Sequence, residues 1–120
     1  MEEAIKKAEV LIEALPYIKR FHKKIIVIKY GGSILAEEKI RKSILEDIVF
    51  LSFMGLRPIL VHGGGPNISG RMRAEGKKAE FVDGIRVTDE ETLIVVEEEL
   101  EKINDLVVNE IFELGANAVG

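Results

Sequence analysis

Two glycine-rich segments contain the residue types in this chain that are best suited to chemistry. Gly31-Gly32 follows the apolar run 25–28 and Lys29, and Gly63-Gly64-Gly65 follows the apolar run 59–61. Both runs are rich in β-branched residues and short, as is typical of buried strands. Glycines at a strand exit let backbone N–H groups approach an anion closely. With a lysine beside the first loop, the pattern predicts a site for a phosphoryl group and favours phosphoryl transfer.

Lys29 is the candidate catalytic residue of this pattern. It sits between an apolar strand and a glycine pair, so its ammonium group should be held at the mouth of the loop. A compact positive charge at that point can stabilise oxygens that become more negative in a transition state. The plain alternative is a solvated charge at the end of a strand.

The triple glycine also has a plain alternative, which is a tight turn. One glycine would suffice for a turn, whereas three glycines before Pro66 favour an anion site at the start of a helix. His62 precedes these glycines and could act as a base, but a histidine after a buried strand is more typical of a packed, hydrogen-bonded residue.

Arg86 lies in a predicted hairpin, residues 79–87, whose Asp83-Gly84 pair suits a tight turn. By default it is a surface charge. If the hairpin folds over the glycine loops, Arg86 could bind a carboxylate through two hydrogen bonds.

The acidic residues 97–101 are predicted to be a solvated helix face, and no metal site is predicted among them.

The remaining elements follow from apolar periodicity and from residues that begin or end helices. Residues 2–22 predict an amphipathic helical arm that Pro16 should kink or divide. Helices are predicted over 37–54, ending at Gly55, and from Pro66 to about 74. A capping box from Thr88 to Glu91 should begin a long helix that ends at Gly115. The expected apolar face of the arm is Ile5, Ala8, Leu11, Ile12, Leu15 and Ile18. That of the 37–54 helix is Ile40, Ile44, Ile48 and Leu51. That of the long helix is Leu93, Val96, Leu100, Ile103, Val107, Ile111 and Leu114.

Composition restricts the class of protein. The chain has 120 residues, 47% of them hydrophobic and 32% charged, with a net charge of −4 and no cysteine. The net negative charge argues against nucleic acid as a partner, and no apolar run approaches the roughly 20 residues that cross a bilayer. An acidic N-terminus is unlike a secretory signal, so a cytoplasmic protein is expected. Residues 116–120 look like the onset of a further strand, which suggests the front portion of a longer domain.

The chain resembles the acetylglutamate kinases of the amino acid kinase family. The resemblance rests on three motifs in the same order and spacing: Ile28-Lys29-Tyr30-Gly31-Gly32-Ser33, Val61-His62-Gly63-Gly64-Gly65-Pro66 with Ile68-Ser69, and Phe81 to Asp89. It implies an α/β fold: an open, mainly parallel sheet between helices, with a β-hairpin lid. Residues 1–24 would be a kinked N-terminal arm, and residues 25–120 the amino-acid-binding half of the kinase domain.

The resemblance also implies roles for individual residues. Lys29 would stabilise the transferring phosphoryl group, and Gly31 and Gly32 would cradle it as part of the nucleotide site. Gly64 and Gly65 would hold the substrate, and Arg86 would bind its α-carboxylate. The reaction would move the γ-phosphoryl group of ATP, with Mg²⁺ held mainly by the phosphates, to the side-chain carboxylate of N-acetyl-L-glutamate, in arginine biosynthesis.

Other consequences of the resemblance concern assembly and alternatives. The arm is similar to one that joins dimers into a hexameric ring, so a homo-oligomer is expected; an arm that folds back on its own domain is the alternative. The stretch 98–104 is more acidic than the family's usual small-residue stretch near the substrate. Two other functions remain open: a kinase for a carrier-protein-linked aminoadipate or glutamate, for which Lys77-Lys78 is the only basic lid pair, and a non-catalytic module for ligand binding or assembly.

Overall fold

A computed structural model describes all residues from 1 to 120. Five helices and four strands follow one another along the chain. In order they are α1 (Glu2–Phe21), β1 (Ile25–Tyr30), α2 (Gly32–Ala36), α3 (Glu38–Phe53), β2 (Arg57–His62), α4 (Gly65–Ala74), β3 (Phe81–Val82), β4 (Ile85–Arg86) and α5 (Glu90–Glu113).

The two long strands form a parallel pair. Ile25 lies opposite Arg57 at one end, and Tyr30 lies opposite His62 at the other. Because parallel strands share a direction, both glycine loops leave the sheet at the same edge. The predicted α/β class, with a parallel sheet flanked by helices and a helical N-terminal arm, is confirmed.

One face of this sheet packs on the main core and the other is open. Ile28, Tyr30 and Leu60 contact a cluster supplied mainly by α3 and α5, whose buried members are Leu35, Leu45, Ile48, Val49, Ile103, Val107 and Ile111. The alternate residues of both strands are exposed, from 43% at Val61 to 64% at Val27. Parallel sheets usually bury both faces, so this open face is suited to contact with a further layer.

The hairpin and α4 form a smaller unit beside α5. Ile68 and Met72 of α4 pack on Val95 of α5. The hairpin turn is confirmed: Asp83 and Gly84 have φ values of 51° and 78°, as a tight turn between right-handed twisted strands requires.

Several predicted element ends are confirmed and two are wrong. Gly55 and Gly115 follow α3 and α5 with positive φ, as expected. The N-cap of α5 is Asp89 rather than Thr88, since the Asp89 carboxylate accepts a hydrogen bond from the Thr92 N–H at 2.9 Å. Residues 116–120 form no strand; residues 116–119 line a cavity of about 420 Å³ together with β2 and are not paired with it.

The buried faces of α3 and α5 differ from those predicted. Arg41 is buried on α3, whereas Ile40 is 41% exposed. On α5, Glu99 and Glu110 are buried and Leu93 is exposed. The prediction that residues 97–101 are a solvated face is therefore wrong for Glu99. The buried acidic residues have basic partners, Arg41 for Glu110 and Arg71 and Lys102 for Glu99, which an apolar pattern does not reveal.

The N-terminal arm projects from the rest of the protein. α1 continues as one helix through Pro16 and has no buried residue. The molecule measures 61 Å along its longest axis and 28 Å along each of the others. The arm therefore does not fold back on its own domain, and it is not divided at Pro16. None of the helices combines the length and apolar character needed to cross a membrane.

Candidate active site

The two glycine loops touch each other. A Cβ added at Gly32 would lie 2.9 Å from both the Cα and the N of Gly64, a separation that real Cβ atoms do not show. Gly63 donates a backbone hydrogen bond to the Tyr30 carbonyl at 3.2 Å. Only glycine fits at position 32, so the two loops meet backbone to backbone.

Four backbone N–H groups in these loops have no backbone acceptor. They belong to Gly31, Gly32, Gly64 and Gly65. Two of them open helices, α2 at Gly32 and α4 at Gly65, where the first N–H groups have no partner within the helix. Unpaired donors at two helix starts provide partial positive charge and hydrogen bonds for an anion.

Lys29 is the penultimate residue of β1, just before the first glycine loop. Its side chain is exposed, on the open face of the sheet with Val27, and it forms no ion pair with a carboxylate. Its ammonium group is therefore exposed and without a carboxylate partner, two residues before the first loop.

Arg86 connects the hairpin to the second glycine loop. Its Nη2 donates to the Gly65 carbonyl at 3.2 Å and to Ser69 Oγ at 2.9 Å. The guanidinium also lies over the Phe81 ring, 4.7 Å from the centroid, and 3.4 Å from the sulfur of Met72. The hairpin thus folds over the loop, and the partners of the Arg86 guanidinium are all uncharged.

His62 uses both ring nitrogens in structural contacts. Its Nε2 lies 3.3 Å from the Asn104 amide nitrogen. Its Nδ1 lies 3.2 Å from the Gly63 carbonyl. With both ring nitrogens in contact with neighbouring polar groups, the packed role is favoured over that of a base.

Helix α5 supports the second loop from behind. A Cβ added at Gly64 would lie 3.0 Å from the side chains of Leu100 and Ile103. Arg71 of α4 forms ion pairs with Glu98 and Glu99 of α5. A hydrogen bond from Lys102 lowers the pKa of Glu99, and Arg71 lowers it further, whereas burial raises it. The net effect is a lowered pKa, so this carboxylate stays ionised beneath α4.

Lys77 links the segment before the hairpin to the start of α5. Its Nζ lies 2.7 Å from the Asp89 carboxylate and 3.1 Å from that of Glu91. These contacts raise the pKa of Lys77, and the hydrogen bonds from Lys77 and Thr92 hold the pKa of Asp89 far below its usual range. One of the two basic lid residues noted in the sequence is thus neutralised internally.

Sequence reasoning brought together most of this site and missed its supports. The structure brings the two glycine loops and Arg86 together, and Lys29 precedes the first loop on the exposed face of β1. In the sequence, Ser69 stands out only as part of a motif. Its position one helical turn after Gly65 is the signal that could have identified it as a partner for Arg86 at that loop. The backing by Leu100 and Ile103 has no sequence signal, because it depends on how α5 crosses the loop.

Comparison with known proteins finds similar sequences among acetylglutamate kinases. Over the whole chain, the protein is 51% identical to the acetylglutamate kinase of Methanocaldococcus jannaschii and 49% identical to that of Halothermothrix orenii. It covers 40% and 42% of those two proteins. The chain therefore spans about two fifths of the length of the curated relatives it matches.

Solved structures give the same fold at lower identity. Two crystal structures of N-acetylglutamate synthase from Neisseria gonorrhoeae align with TM-scores of 0.66 and 0.72, at 27% and 26% identity. The first, complexed with coenzyme A and L-arginine, covers 90% of this chain, and the second, with coenzyme A and N-acetyl-glutamate, covers 84%. In each case 24% of the synthase is matched. The sequence profile described as the Amino acid kinase family matches residues 24–120, and the chain belongs to that family.

Proposed function

We propose that this chain is the substrate-binding part of an acetylglutamate kinase. Residues 25–120 would bind N-acetyl-L-glutamate and the phosphoryl group that moves to its side-chain carboxylate, and residues 1–24 would form an assembly arm. The observation that carries the proposal is the contact between two glycine loops that present four unpaired N–H groups. About 50% identity to acetylglutamate kinases over the whole chain supports this substrate class.

The proposed chemistry depends on position and charge. A carboxylate nucleophile carries no proton to remove, so no general base is required, which agrees with the fully used His62. Lys29 would stabilise the charge that develops on the phosphoryl oxygens, and the N–H groups of Gly31 and Gly32 would hold those oxygens in place. Gly64 and Gly65 would hold the attacking carboxylate beside them, since the loops are in contact.

Arg86 would bind the α-carboxylate of the amino acid. It lies against the loop that would hold the reacting end of the substrate, and its present partners are uncharged. A carboxylate could take up its remaining donors without first breaking an ion pair. Ser69 and Phe81 would keep the guanidinium directed toward the loop.

ATP with Mg²⁺ is the proposed phosphoryl donor. Bound Mg²⁺ would neutralise charge on the phosphates during transfer. The phosphate oxygens would supply most of its ligands, and the N–H groups of Gly31 and Gly32 would contact the group being transferred. Contacts with the adenine would come from residues outside this chain.

The arm supports a proposed homo-oligomer. Ile5, Leu11, Ile12 and Leu15 are 46–69% exposed and lie on a helix with no buried residue. A second copy of the arm is a suitable cover for this face, giving a dimer or, through dimers, a hexamer. The cytoplasmic location remains an expectation from the sequence alone.

The carrier-linked alternative is less well supported. It calls for a basic lid that meets an acidic carrier protein, but Lys77 already pairs with Asp89 and Glu91. Free N-acetyl-L-glutamate is therefore the preferred acceptor. Comparing it with a carrier-linked acid in one phosphorylation assay separates the two hypotheses.

Substitution of Lys29 tests the proposed reaction. In the complete natural polypeptide that contains these residues, Lys29→Ala should lower kcat by about 100-fold or more, because one preorganised charge is removed from the transition state. Lys24→Ala removes an exposed lysine at the opposite end of β1 and should leave kcat unchanged. Equal turnover in the two variants would remove Lys29 from the mechanism, and an inactive parent would contradict the proposed function.

Isothermal titration of the 120-residue chain tests the proposed division of labour. N-acetyl-L-glutamate should bind, and Arg86→Met should weaken that binding. Nucleotide binding without binding of the acetylated amino acid would contradict the assignment and would favour the non-catalytic module.

A further inference from the structure

A buried ion pair joins helix α3 to helix α5. Arg41 and Glu110 have side chains only 9% and 11% exposed. Arg41 Nε donates to one carboxylate oxygen at 2.7 Å and Nη2 donates to the other at 2.8 Å. This two-bond geometry fixes orientation as well as distance.

Arg41 also makes a third hydrogen bond, to the segment that follows the first glycine loop. Its Nη1 donates to the Leu35 carbonyl at 2.8 Å. Leu35 is 3% exposed and lies near the end of α2, a single turn that begins at Gly32. A helix this short has little stability of its own, so the placement of Gly32 depends on what holds its far end.

Glu110 belongs to the same helix that backs the second glycine loop. Leu100 and Ile103 of α5 are the side chains closest to Gly64. The path from one loop to the other therefore passes through Leu35, Arg41, Glu110 and the length of α5. Three hydrogen bonds and one helix thus add a second connection between the two groups of unpaired N–H donors, beside the direct contact of Gly32 with Gly64.

We propose that Arg41 and Glu110 are positioning residues for phosphoryl transfer, which hold the Gly31-Gly32 loop at its working distance from Gly64. This inference rests on the proposed kinase function. Hydrophobic residues of similar size usually replace a buried ion pair with little or no loss of stability. The Leu35 anchor, in contrast, has no hydrophobic substitute. Stability and positioning can therefore be separated by experiment.

The test uses Arg41→Met/Glu110→Leu in the complete natural polypeptide that contains this chain. The double variant should unfold within a few degrees of the parent. Its kcat/KM for ATP should fall about 10- to 100-fold, since small misplacements of a phosphate site have effects of this size. Hydrogen exchange of the backbone at 31–36 should be faster than in the parent, while exchange in the hairpin at 81–86 should be unchanged.

Lys42→Met is the matched control. Lys42 neighbours Arg41 on α3 and pairs with Glu38 at 2.6 Å, but both side chains are exposed. This variant removes one cation from the same helix and should keep the parent's kinetics and exchange.

The outcomes separate the inference from the proposed function. Parent-like kinetics and parent-like exchange at 31–36 in the double variant would overturn the positioning role. If the parent itself shows no kinase activity, the proposed function fails, and exchange at 31–36 still decides whether the pair holds the loop. If the double variant does not fold, Arg41→Lys gives the same readouts, because lysine keeps the charge but cannot make all three bonds.

Discussion

Substituting alanine for Gly32 would test the contact between the two glycine loops. The added Cβ would lie 2.9 Å from backbone atoms of Gly64, and ordinary contact begins at 3.4 Å, so the loops must separate by about 0.5 Å. Overpacking of this kind costs about 1–3 kcal/mol. The alanine offsets about 0.4–1 kcal/mol by restricting the unfolded chain. A net loss of about 1–2 kcal/mol is expected, which lowers Tm by roughly 4–8 °C in a chain of this size.

Gly70→Ala provides the matched control for this substitution. Gly70 lies within α4, and an added Cβ there would meet no atom within 4 Å. Alanine is favoured over glycine inside a helix by about 0.5–1 kcal/mol, so Tm should rise by roughly 2–4 °C. Thermal unfolding followed by circular dichroism measures both variants under the same reversible conditions.

The two variants make the same chemical change and should shift Tm in opposite directions. Two increases of similar size would show that the loops are not in contact, and the proposed anion site would lose its main support. In the complete natural polypeptide, Gly32→Ala should also reduce kcat/KM for ATP by about 10- to 100-fold, because the phosphate site is displaced. Parent-like kinetics with a lowered Tm would restrict Gly32 to a packing role.

Three further predictions concern the cap, the hairpin and the arm. The pKa of Asp89 is lower in the folded protein than in the unfolded chain. Its carboxylate therefore stabilises the protein above an unfolded pKa of about 4, and this contribution is lost as the pH falls below that value. Asp89→Asn should lower Tm at pH 7, and the difference in Tm from the parent should shrink below pH 4. A difference independent of pH would contradict the cap's ionic role. Gly84→Ala, at φ 78°, should destabilise the turn by about 1–2 kcal/mol, measured as faster amide exchange in the hairpin, and unchanged exchange would refute the assigned turn. Pro16→Ala should increase helix content by circular dichroism without changing the main unfolding transition, because α1 buries no residue; a shifted transition would mean that the arm packs on the domain.

Local signals were sufficient for the strands, the loops and most helix ends. The apolar runs before Gly31 and Gly63 are short and rich in β-branched residues, which decides strand over helix without tertiary information. Asp83-Gly84 and Gly55 have backbone angles that few other residues adopt. Such features depend on neighbours in sequence, so the end of the parallel sheet and the glycines that follow it could be predicted.

Helix rotation and capping required information from distant residues. Arg41 replaces Ile40 on the buried face because its partner Glu110 lies 69 residues further along the chain. The N-cap of α5 falls on Asp89 rather than Thr88, and Lys77, which precedes the hairpin, pairs with the same carboxylate. Apolar periodicity describes the distribution of hydrophobic residues on one helix, and it carries no information about an ion pair between two helices.

The acidity of α5 has a structural explanation in these same pairs. From the sequence, the stretch 98–104 departs from the family's usual small residues near the substrate. Glu98 and Glu99 face Arg71 of α4, and Glu110 faces Arg41 of α3. Each pair fixes a helix that follows or supports a glycine loop. Glu98 and Glu99 therefore act on the position of α4, and neither pairs with Arg86, so their presence does not by itself argue for a different acceptor.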